Sequence, residues 1–210
     1  MPDWNSIFRE HGYIFIDPHP DVARISSIFK ENGVERILDV GCGTGRHLVF
    51  LAKLGFKMTG FDSSSHALEL CTKWLEDEGL VADIRKHRME DRLPYSDTFF
   101  DAVISIQVIH HNLLKDILFT ISEIERILKP EGFIVITVPV LGPTPEKSED
   151  DWHLRKVENG TYIPESGPES GIPHHYFTED ELLGIFNGFE PLEIFIDSTN
   201  HRCLIAKKSR

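Results

Sequence analysis

The chain has 210 residues, of which 34 are acidic and 22 are basic, so its formal net charge is −12. Hydrophobic residues make up 40% and charged residues 27%, which excludes collagen-like, mucin-like and strongly disordered chains. The excess of negative charge argues against broad binding to nucleic acids or anionic membranes, because both attract positively charged surfaces.

Chain length and cysteine content indicate the number of domains and the cellular environment. A chain of this size predicts a single domain, residues 1–210, with a full hydrophobic core. Its three cysteines fit no zinc-binding spacing and predict a reduced environment. The first residues lack the apolar stretch of a signal peptide, and no apolar run approaches the roughly 20 residues of a membrane span. We therefore expect a cytoplasmic protein that makes no membrane contact.

Apolar periodicity predicts strands that alternate with helices through the first two thirds of the chain. An N-terminal helical cap at 1–33 contains a helix that begins at Pro20 and stops near Gly33. The next elements follow in chain order: strand 36–40, helix 47–54, strand 56–61, helix 64–78, a weak strand 81–86, strand 101–107, helix 113–128 and strand 133–138. This alternation predicts an α/β fold, with a parallel, doubly wound sheet and helices on both faces.

The alternation breaks between residues 140 and 176, where prolines and glycines are frequent. A long stretch without regular structure inside a compact domain is typical of a functional loop or lid, or of disorder. We therefore interpret residues 141–177 as an inserted, acidic substrate lid. Regular structure returns with a capping-box helix at 178–186, followed by strands at 191–196 and 202–207 that predict a C-terminal antiparallel hairpin.

A glycine-rich turn after the first strand is the sharpest motif. It reads Gly-x-Gly-x-Gly at Gly41, Gly43 and Gly45, and glycines there allow backbone to approach a ligand closely. A dinucleotide fingerprint requires a glycine at the sixth position, where this chain has Arg46. Asp39 would repel a pyrophosphate and suits a cationic ligand instead. A plain tight turn is the alternative interpretation.

An acidic residue ends the second predicted strand. Asp62 lies about 20 residues after the first glycine, a position from which a carboxylate accepts hydrogen bonds from a ribose diol. A carboxylate at a helix N-terminus is the competing interpretation. Taken with the glycines and Asp39, it predicts a ligand that carries a ribose but no pyrophosphate.

Four ordered strings carry a family resemblance. LDVGCGTGRH, GFD, LPYSDTFFDAVIS and ILKPEGFIVITVP follow one another between residues 36 and 139. The series resembles the class I S-adenosylmethionine-dependent methyltransferases, whose Rossmann-like fold is a seven-stranded, mostly parallel sheet closed by an antiparallel hairpin. It is particularly similar to small tellurite-resistance-type methyltransferases, which carry GRH after the glycines and a late segment like PHHYF at 173–177.

The resemblance implies S-adenosylmethionine as the cofactor and assigns residues to it. Asp39 would orient the turn and the cofactor's amino group. The turn would pack against the methionine and ribose parts, Asp62 would hold the ribose hydroxyls, Ser63 would lie beside the adenosine, and Gln107 would lie near the sulfonium. The turn residues are Gly41, Cys42, Gly43 and Gly45, and the stretch that cradles adenine includes Met89 and Glu90. Arg88 departs from the family, which often has an adenine-binding Asp there.

Histidines and a tyrosine are the candidate catalytic groups, because imidazole titrates near neutral pH. His111 follows the fourth strand, and His174, His175 and Tyr176 lie in the late segment. The alternative interpretations are a helix cap for the His110–His111 pair and a solvated loop for the late segment. A histidine metal site lacks ligand spacing and carboxylate partners in the sequence, so no metal is predicted.

Missing motifs narrow the methyl acceptor. Methyltransferases of exocyclic base amines resemble one another in an Asn/Asp-Pro-Pro-aromatic segment after the fourth strand, and this chain has none. No cysteine lies between Cys71 and Cys203, so the chain also lacks the cysteine nucleophile of the cytosine-C5 enzymes. We therefore expect a small-molecule acceptor and no nucleic acid, with a protein acceptor second. A nicotinamide-dependent oxidoreductase and a non-catalytic cofactor-binding domain remain as alternatives. The sequence leaves the oligomeric state open.

Overall fold

A computed structural model of the protein describes residues 3–140 and 153–210. Its helices are α1 Trp4–His11, α2 Pro20–Glu31, α3 Arg46–Lys53, α4 Ser65–Asp77, α5 Leu114–Ile127 and α6 Glu179–Ile185. Its strands are β1 Arg36–Val40, β2 Lys57–Asp62, β3 Asp83–Lys86, β4 Phe100–Ile106, β5 Leu128–Pro139, β6 Leu154–Glu158, β7 Thr161–Pro164, β8 His174–His175, β9 Phe189–Ile196 and β10 His201–Lys208. None of the helices in these two ranges is long and apolar enough to cross a membrane.

The main sheet has seven strands in the order β3-β2-β1-β4-β5-β10-β9. Strands β1 to β5 pair in parallel, whereas β10 is antiparallel to both of its neighbours, β5 and β9. The predicted seven-stranded, mostly parallel sheet with a C-terminal antiparallel hairpin is therefore confirmed.

Both faces of the sheet are buried, because consecutive strand residues point to opposite sides. On β1, Ile37 belongs to one core cluster and Leu38 to the other, and both are fully buried. The first cluster packs the sheet against α2, α3 and α4, and the second packs it against α5 and α6. This two-sided burial explains why the central strands read as continuous apolar runs.

The inserted segment is more regular than expected. Residues 141–152 lie outside the described residues, but residues 153–177 form a three-stranded antiparallel sheet in the order β6-β7-β8. Asn159-Gly160 connects β6 to β7, and Gly160 has a φ of +78°. An Asn-Gly pair between two short strands is a strong hairpin signal, so this part of the prediction of an irregular stretch was wrong.

The histidine pair after β4 does not begin a helix. His110 and His111 lie in a turn, and α5 begins later, at Leu114. At that start the Glu158 carboxylate accepts a hydrogen bond from the Leu114 N–H at 2.6 Å, so the inserted segment supplies the cap from outside the helix. The expectation of a helix-capping histidine is thereby corrected.

Candidate active site

A cavity of about 460 Å³ opens at the carboxyl ends of β1, β2 and β4. Between β1 and β4 the strand order reverses, because β2 and β3 extend the sheet to one side and β5 extends it to the other. Ligands of open α/β sheets bind at such a switch point, and the volume lies within the roughly 300–1,000 Å³ of small-molecule sites.

Most of the predicted site residues lie on this cavity, and a few do not. Those that line it are Gly41, Cys42, Gly43, Asp62, Ser63, Met89, Glu90, Gln107 and His111. Those that the structure places outside its lining are Asp39, Gly45, His174, His175 and Tyr176.

The glycine turn has two functions. Gly41 and Gly43 line the cavity, and Gly41 has a φ of +71° with no room for a side chain, since a Cβ would lie 2.3 Å from Val108 Cγ1. Gly45, with a φ of +95°, faces the opposite way, where a Cβ would lie 2.6 Å from Cys71 Sγ. Gly45 therefore packs α3 onto α4, which corrects its assignment to ligand contact.

Asp62 lies at the end of β2 and lines the cavity. Its carboxylate accepts hydrogen bonds from the Gly43 N–H at 2.9 Å and from the Ser64 N–H at 2.8 Å. Burial raises the pKa of Asp62, and these backbone hydrogen bonds oppose the rise. A carboxylate offers about four acceptor positions, so positions remain for the hydroxyl groups of a ligand.

Asp39 lies on β1 beneath the turn rather than on the cavity surface. No hydrogen-bond partner is found for its Oδ2 among residues 3–140 and 153–210. Burial raises the pKa of Asp39 to about 7, the positive charge of Arg46 opposes the rise, and Asp62 adds to it. A buried, unpartnered carboxyl at this position favours a cation in the cavity above it.

Arg46 is a cavity-lining residue that sequence reasoning used only to reject the dinucleotide fingerprint. Its guanidinium donates to Gln107 Oε1 at 3.2 Å and lies 4.8 Å from the centre of the Phe15 ring. Burial lowers the pKa of Arg46, which signals a poorly solvated cation. The available signal was a basic residue at the N-terminus of a helix that follows a ligand-binding turn.

Gln107 ends β4 in a strained backbone conformation, with a φ of +61°. Its N–H donates to the Thr137 hydroxyl at 2.8 Å, and its side-chain amide nitrogen lies 3.3 Å from both Thr199 Oγ1 and His201 Nδ1. These contacts hold the side chain on the cavity wall.

The opposite end of the cavity contains Met89 and Glu90. The Glu90 Oε1 atom accepts a hydrogen bond from Arg88 Nε at 2.6 Å. Arg88, the residue that departs from the family pattern, is therefore paired with the acid next to it. His87 also lines this end, and its ring is edge-on to Phe61. Within the described part of the chain, the buried His87 Nε2 has no hydrogen-bond partner. Sequence reasoning missed His87.

Aromatic side chains from the N-terminal segment close one side of the cavity. Trp4 and Phe8 of α1 line it together with Phe15. Tyr13, also in the N-terminal segment, packs on α4, where its hydroxyl donates to the Leu70 carbonyl at 2.9 Å. Only part of the predicted helical cap therefore reaches the cavity.

His111 is the only one of the four predicted catalytic residues that lines the cavity. Its ring centre lies 4.9 Å from Trp4, 3.9 Å from His110 and 4.8 Å from His174. Burial lowers the pKa of His111 and of His110 well below the ordinary value, and the neighbouring histidines lower it further. Glu169 adds a carboxylate oxygen 3.8 Å from His111 Nε2.

His175 and Tyr176 lie away from the cavity. His175 is fully buried, with Nδ1 2.7 Å from the Thr161 hydroxyl and Nε2 3.3 Å from a Glu181 carboxylate oxygen. Tyr176 packs edge-on against Tyr162. His175 thus joins β8 to β7 and to α6, and neither side chain lines the cavity in which the prediction of a catalytic role would place it.

Comparison with known proteins identifies the domain. Residues 38–136 match a family model described as a methyltransferase domain. A ubiquinone biosynthesis O-methyltransferase from Actinobacillus pleuropneumoniae is 32% identical over 111 residues, covering 50% of this chain and 47% of that protein. A tRNA (carboxymethyluridine(34)-5-O)-methyltransferase from Arabidopsis thaliana is 40% identical over 106 residues, covering 49% of this chain and 23% of that protein. The chain thus spans less than two thirds of the length of either relative.

The fold has a counterpart of nearly equal extent. A solved structure of a SAM-dependent methyltransferase from Methanosarcina mazei aligns with a TM-score of 0.71 and 23% identity, covering 92% of this chain and 99% of that chain. Residues 38–136 thus match the methyltransferase domain family, and the seven-stranded sheet has the fold of a solved SAM-dependent methyltransferase.

Proposed function

We propose that this protein binds S-adenosylmethionine in the switch-point cavity and directs its methyl group to a small-molecule acceptor by in-line displacement. The observation that carries the proposal is the joint lining of one cavity by the glycine turn and Asp62, in a chain that matches the methyltransferase domain family. The described part of the inserted segment supplies Ile172 and Pro173 to the same cavity, which supports its interpretation as a substrate lid.

The cavity residues fit such a cofactor in charge and in hydrogen-bonding capacity. Asp62 has acceptor positions for ribose hydroxyls, and the unpartnered Asp39 carboxyl suits an ammonium group. Arg46 suits a carboxylate, since its guanidinium is poorly solvated and has no carboxylate within ion-pair distance among the described residues. At the other end, His87 Nε2 and Glu90 are the polar groups available to an adenine ring.

When bound, S-adenosylmethionine supplies a methyl group on a positively charged sulfur. The residues of the chain then have to align the acceptor and exclude water. Trp4, Phe8 and Phe15 provide apolar cover, and Arg46 and Gln107 form a hydrogen-bonded wall. If the acceptor is a hydroxyl, His111 is the predicted catalytic residue that lines the cavity and offers an imidazole to take its proton.

The competing functions have weaker support. A nicotinamide cofactor needs the glycine that Arg46 replaces. The Arabidopsis relative is named for a tRNA substrate, but a chain with a net charge of −12 is poorly suited to a polyanion. The relative from Actinobacillus pleuropneumoniae is named as a ubiquinone biosynthesis O-methyltransferase. That name favours a small acceptor that carries a hydroxyl group.

Calorimetric titration with S-adenosylhomocysteine tests cofactor binding. We expect saturable binding, and Asp62→Ala should weaken it at least tenfold, about 1.4 kcal/mol, because the ribose loses a charged acceptor. Asp91→Ala, which removes an exposed carboxylate outside the cavity, is the matched control and should leave the affinity unchanged. Absence of binding at millimolar ligand, or tighter binding of NADH, would overturn the proposal.

A second measurement separates an enzyme from a cofactor-binding domain. Incubation with S-adenosylmethionine and a panel of small hydroxyl, amine and thiol acceptors should release S-adenosylhomocysteine with at least one of them. Release with protein substrates alone would replace the small-molecule acceptor by a protein acceptor.

A further inference from the structure

Three histidines from two distant parts of the chain meet beside the cavity. His110 and His111 come from the turn after β4, and His174 begins β8. Their ligand nitrogens all lie within 4.8 Å of one another. A backbone hydrogen bond from the His175 N–H to the His110 carbonyl, 2.9 Å long, fixes the two segments side by side.

A carboxylate lies beside two of the three histidines. Glu169 Oε2 lies 3.0 Å from His174 Nε2 and 3.8 Å from His111 Nε2. Glu169 belongs to the turn before β8, where its carbonyl accepts from the Ile172 N–H at 3.0 Å. Sequence spacing could not show this carboxylate, because folding alone brings it to the histidines.

His110 contributes a second, independent observation. Its side chain is buried, and its Nδ1 has no hydrogen-bond partner among the residues that the structure describes. Buried polar atoms normally find a partner, so an imidazole nitrogen without one, on a residue of a histidine cluster, points to a missing ligand.

We propose that His110, His111, His174 and Glu169 bind one first-row divalent cation of the Zn²⁺ class. Tetrahedral coordination with Zn–N and Zn–O distances near 2.1 Å places the ligand atoms about 3.4 Å apart. The two Glu169 distances, 3.0 and 3.8 Å, lie on either side of that value. The histidine nitrogens lie up to 4.8 Å apart, so metal binding requires the imidazole rings to rotate towards one another.

The ligand set also selects the type of cation. Imidazole nitrogens favour zinc, cobalt, iron, nickel and copper, whereas magnesium and calcium prefer oxygen ligands. Three nitrogens and one oxygen thus predict a transition metal. Four protein ligands form a closed site without an open coordination position. The bound cation would therefore fasten the inserted segment to the turn that follows β4. With the cation bound, His111 is a ligand and no longer a proton acceptor.

Cobalt titration tests the site directly. Untagged, full-length protein is treated with EDTA, desalted and titrated with Co²⁺, whose visible absorption reports tetrahedral coordination. We expect saturation at one equivalent per chain and displacement of the absorption by Zn²⁺. A wild-type protein that shows no saturable band, or binds Co²⁺ without a defined stoichiometry, overturns the proposal.

Single substitutions assign the ligands. His174→Ala and Glu169→Gln should each lower the Co²⁺ affinity at least tenfold, because even supporting residues of metal sites are worth about 10–100-fold. His153→Ala, which removes an exposed histidine of the same segment, is the matched control and should bind as the wild type does. Unchanged affinity in both cluster variants refutes the assignment.

Titration of the same samples with S-adenosylhomocysteine keeps the two proposals separate. A cluster variant that retains S-adenosylhomocysteine binding is folded, so its loss of Co²⁺ binding is due to the removed ligand. If His174→Ala fails to fold, Glu169→Gln, which changes a partly exposed residue, decides. Wild-type protein that binds Co²⁺ but not S-adenosylhomocysteine would refute the proposed function and leave the metal site standing.

Discussion

The fold strongly alters the ionisation of Asp39, which lies buried beneath the cavity. Burial raises the pKa of its carboxyl from 3.8 to about 7. Between those values the folded state holds a proton that the unfolded state has lost, so the Asp39 contribution to stability falls as pH rises through this range. A cation bound in the cavity reverses the preference, because it stabilises the ionised carboxylate.

Cofactor affinity should therefore depend on pH through Asp39. We expect S-adenosylhomocysteine to bind the wild type more tightly as pH rises from about 6 to about 8, with release of a proton on binding. Asp39→Asn should bind with little pH dependence over the same interval. Calorimetry in two buffers of different ionisation enthalpy measures the proton release, and equal pH dependence in both proteins would remove Asp39 from this role.

Most of the predicted residues on the glycine turn line the cavity, whereas the predicted residues on the inserted segment do not. Asp62 and Ser63 follow a strand whose end must face the switch point, so their place was determined by topology. In β8, by contrast, neighbouring side chains point to opposite faces. His174 therefore contacts Glu169, whereas His175 contacts Thr161, and the string of letters alone does not reveal which of them joins His110 and His111.

The packing of α3 against α4 depends on Gly45. Both Gly45 and Gly55 have a φ above +90°, but only Gly45 is crowded, by the Cys71 side chain. At Gly55, an added Cβ would meet nothing within 4 Å among the described residues. The pair thus separates the cost of a left-handed backbone from the cost of steric overlap.

Alanine substitution at the two glycines should give unequal losses. Gly55→Ala is expected to lower the free energy of unfolding by about 1 kcal/mol through backbone strain alone, and Gly45→Ala by more because its Cβ overlaps the Cys71 sulfur. Adding Cys71→Ala to Gly45→Ala should recover at least about 0.5 kcal/mol as a coupling free energy. Chemical denaturation of these three variants and of Cys71→Ala alone measures the losses and the coupling. Equal losses at both glycines would contradict the steric argument.

The net negative charge of the whole molecule repels polyanions such as RNA. With a net charge of −12, association with RNA gains little from counterion release. We expect no saturable, salt-sensitive binding of fluorescently labelled tRNA in anisotropy titrations at low ionic strength. Binding that weakens steeply with added salt would instead favour an RNA acceptor.

At this scale the topology could be predicted, because strands and helices of regular length alternate from β1 to β5 and allow few arrangements. The cavity could be placed for the same reason. Its polar lining could not be predicted in full, since Arg46 and His87 meet the other lining residues only through tertiary structure.

The position of β10 between β5 and β9 has a consequence for biosynthesis. β10 is the last strand described along the chain, yet its buried residues 203–206 complete both core clusters. Until a ribosome has released this strand, β5 presents an unpaired edge with an apolar face on either side. Such edges recruit other chains, so the nascent protein depends on rapid closure by β10, or on a chaperone, to avoid aggregation.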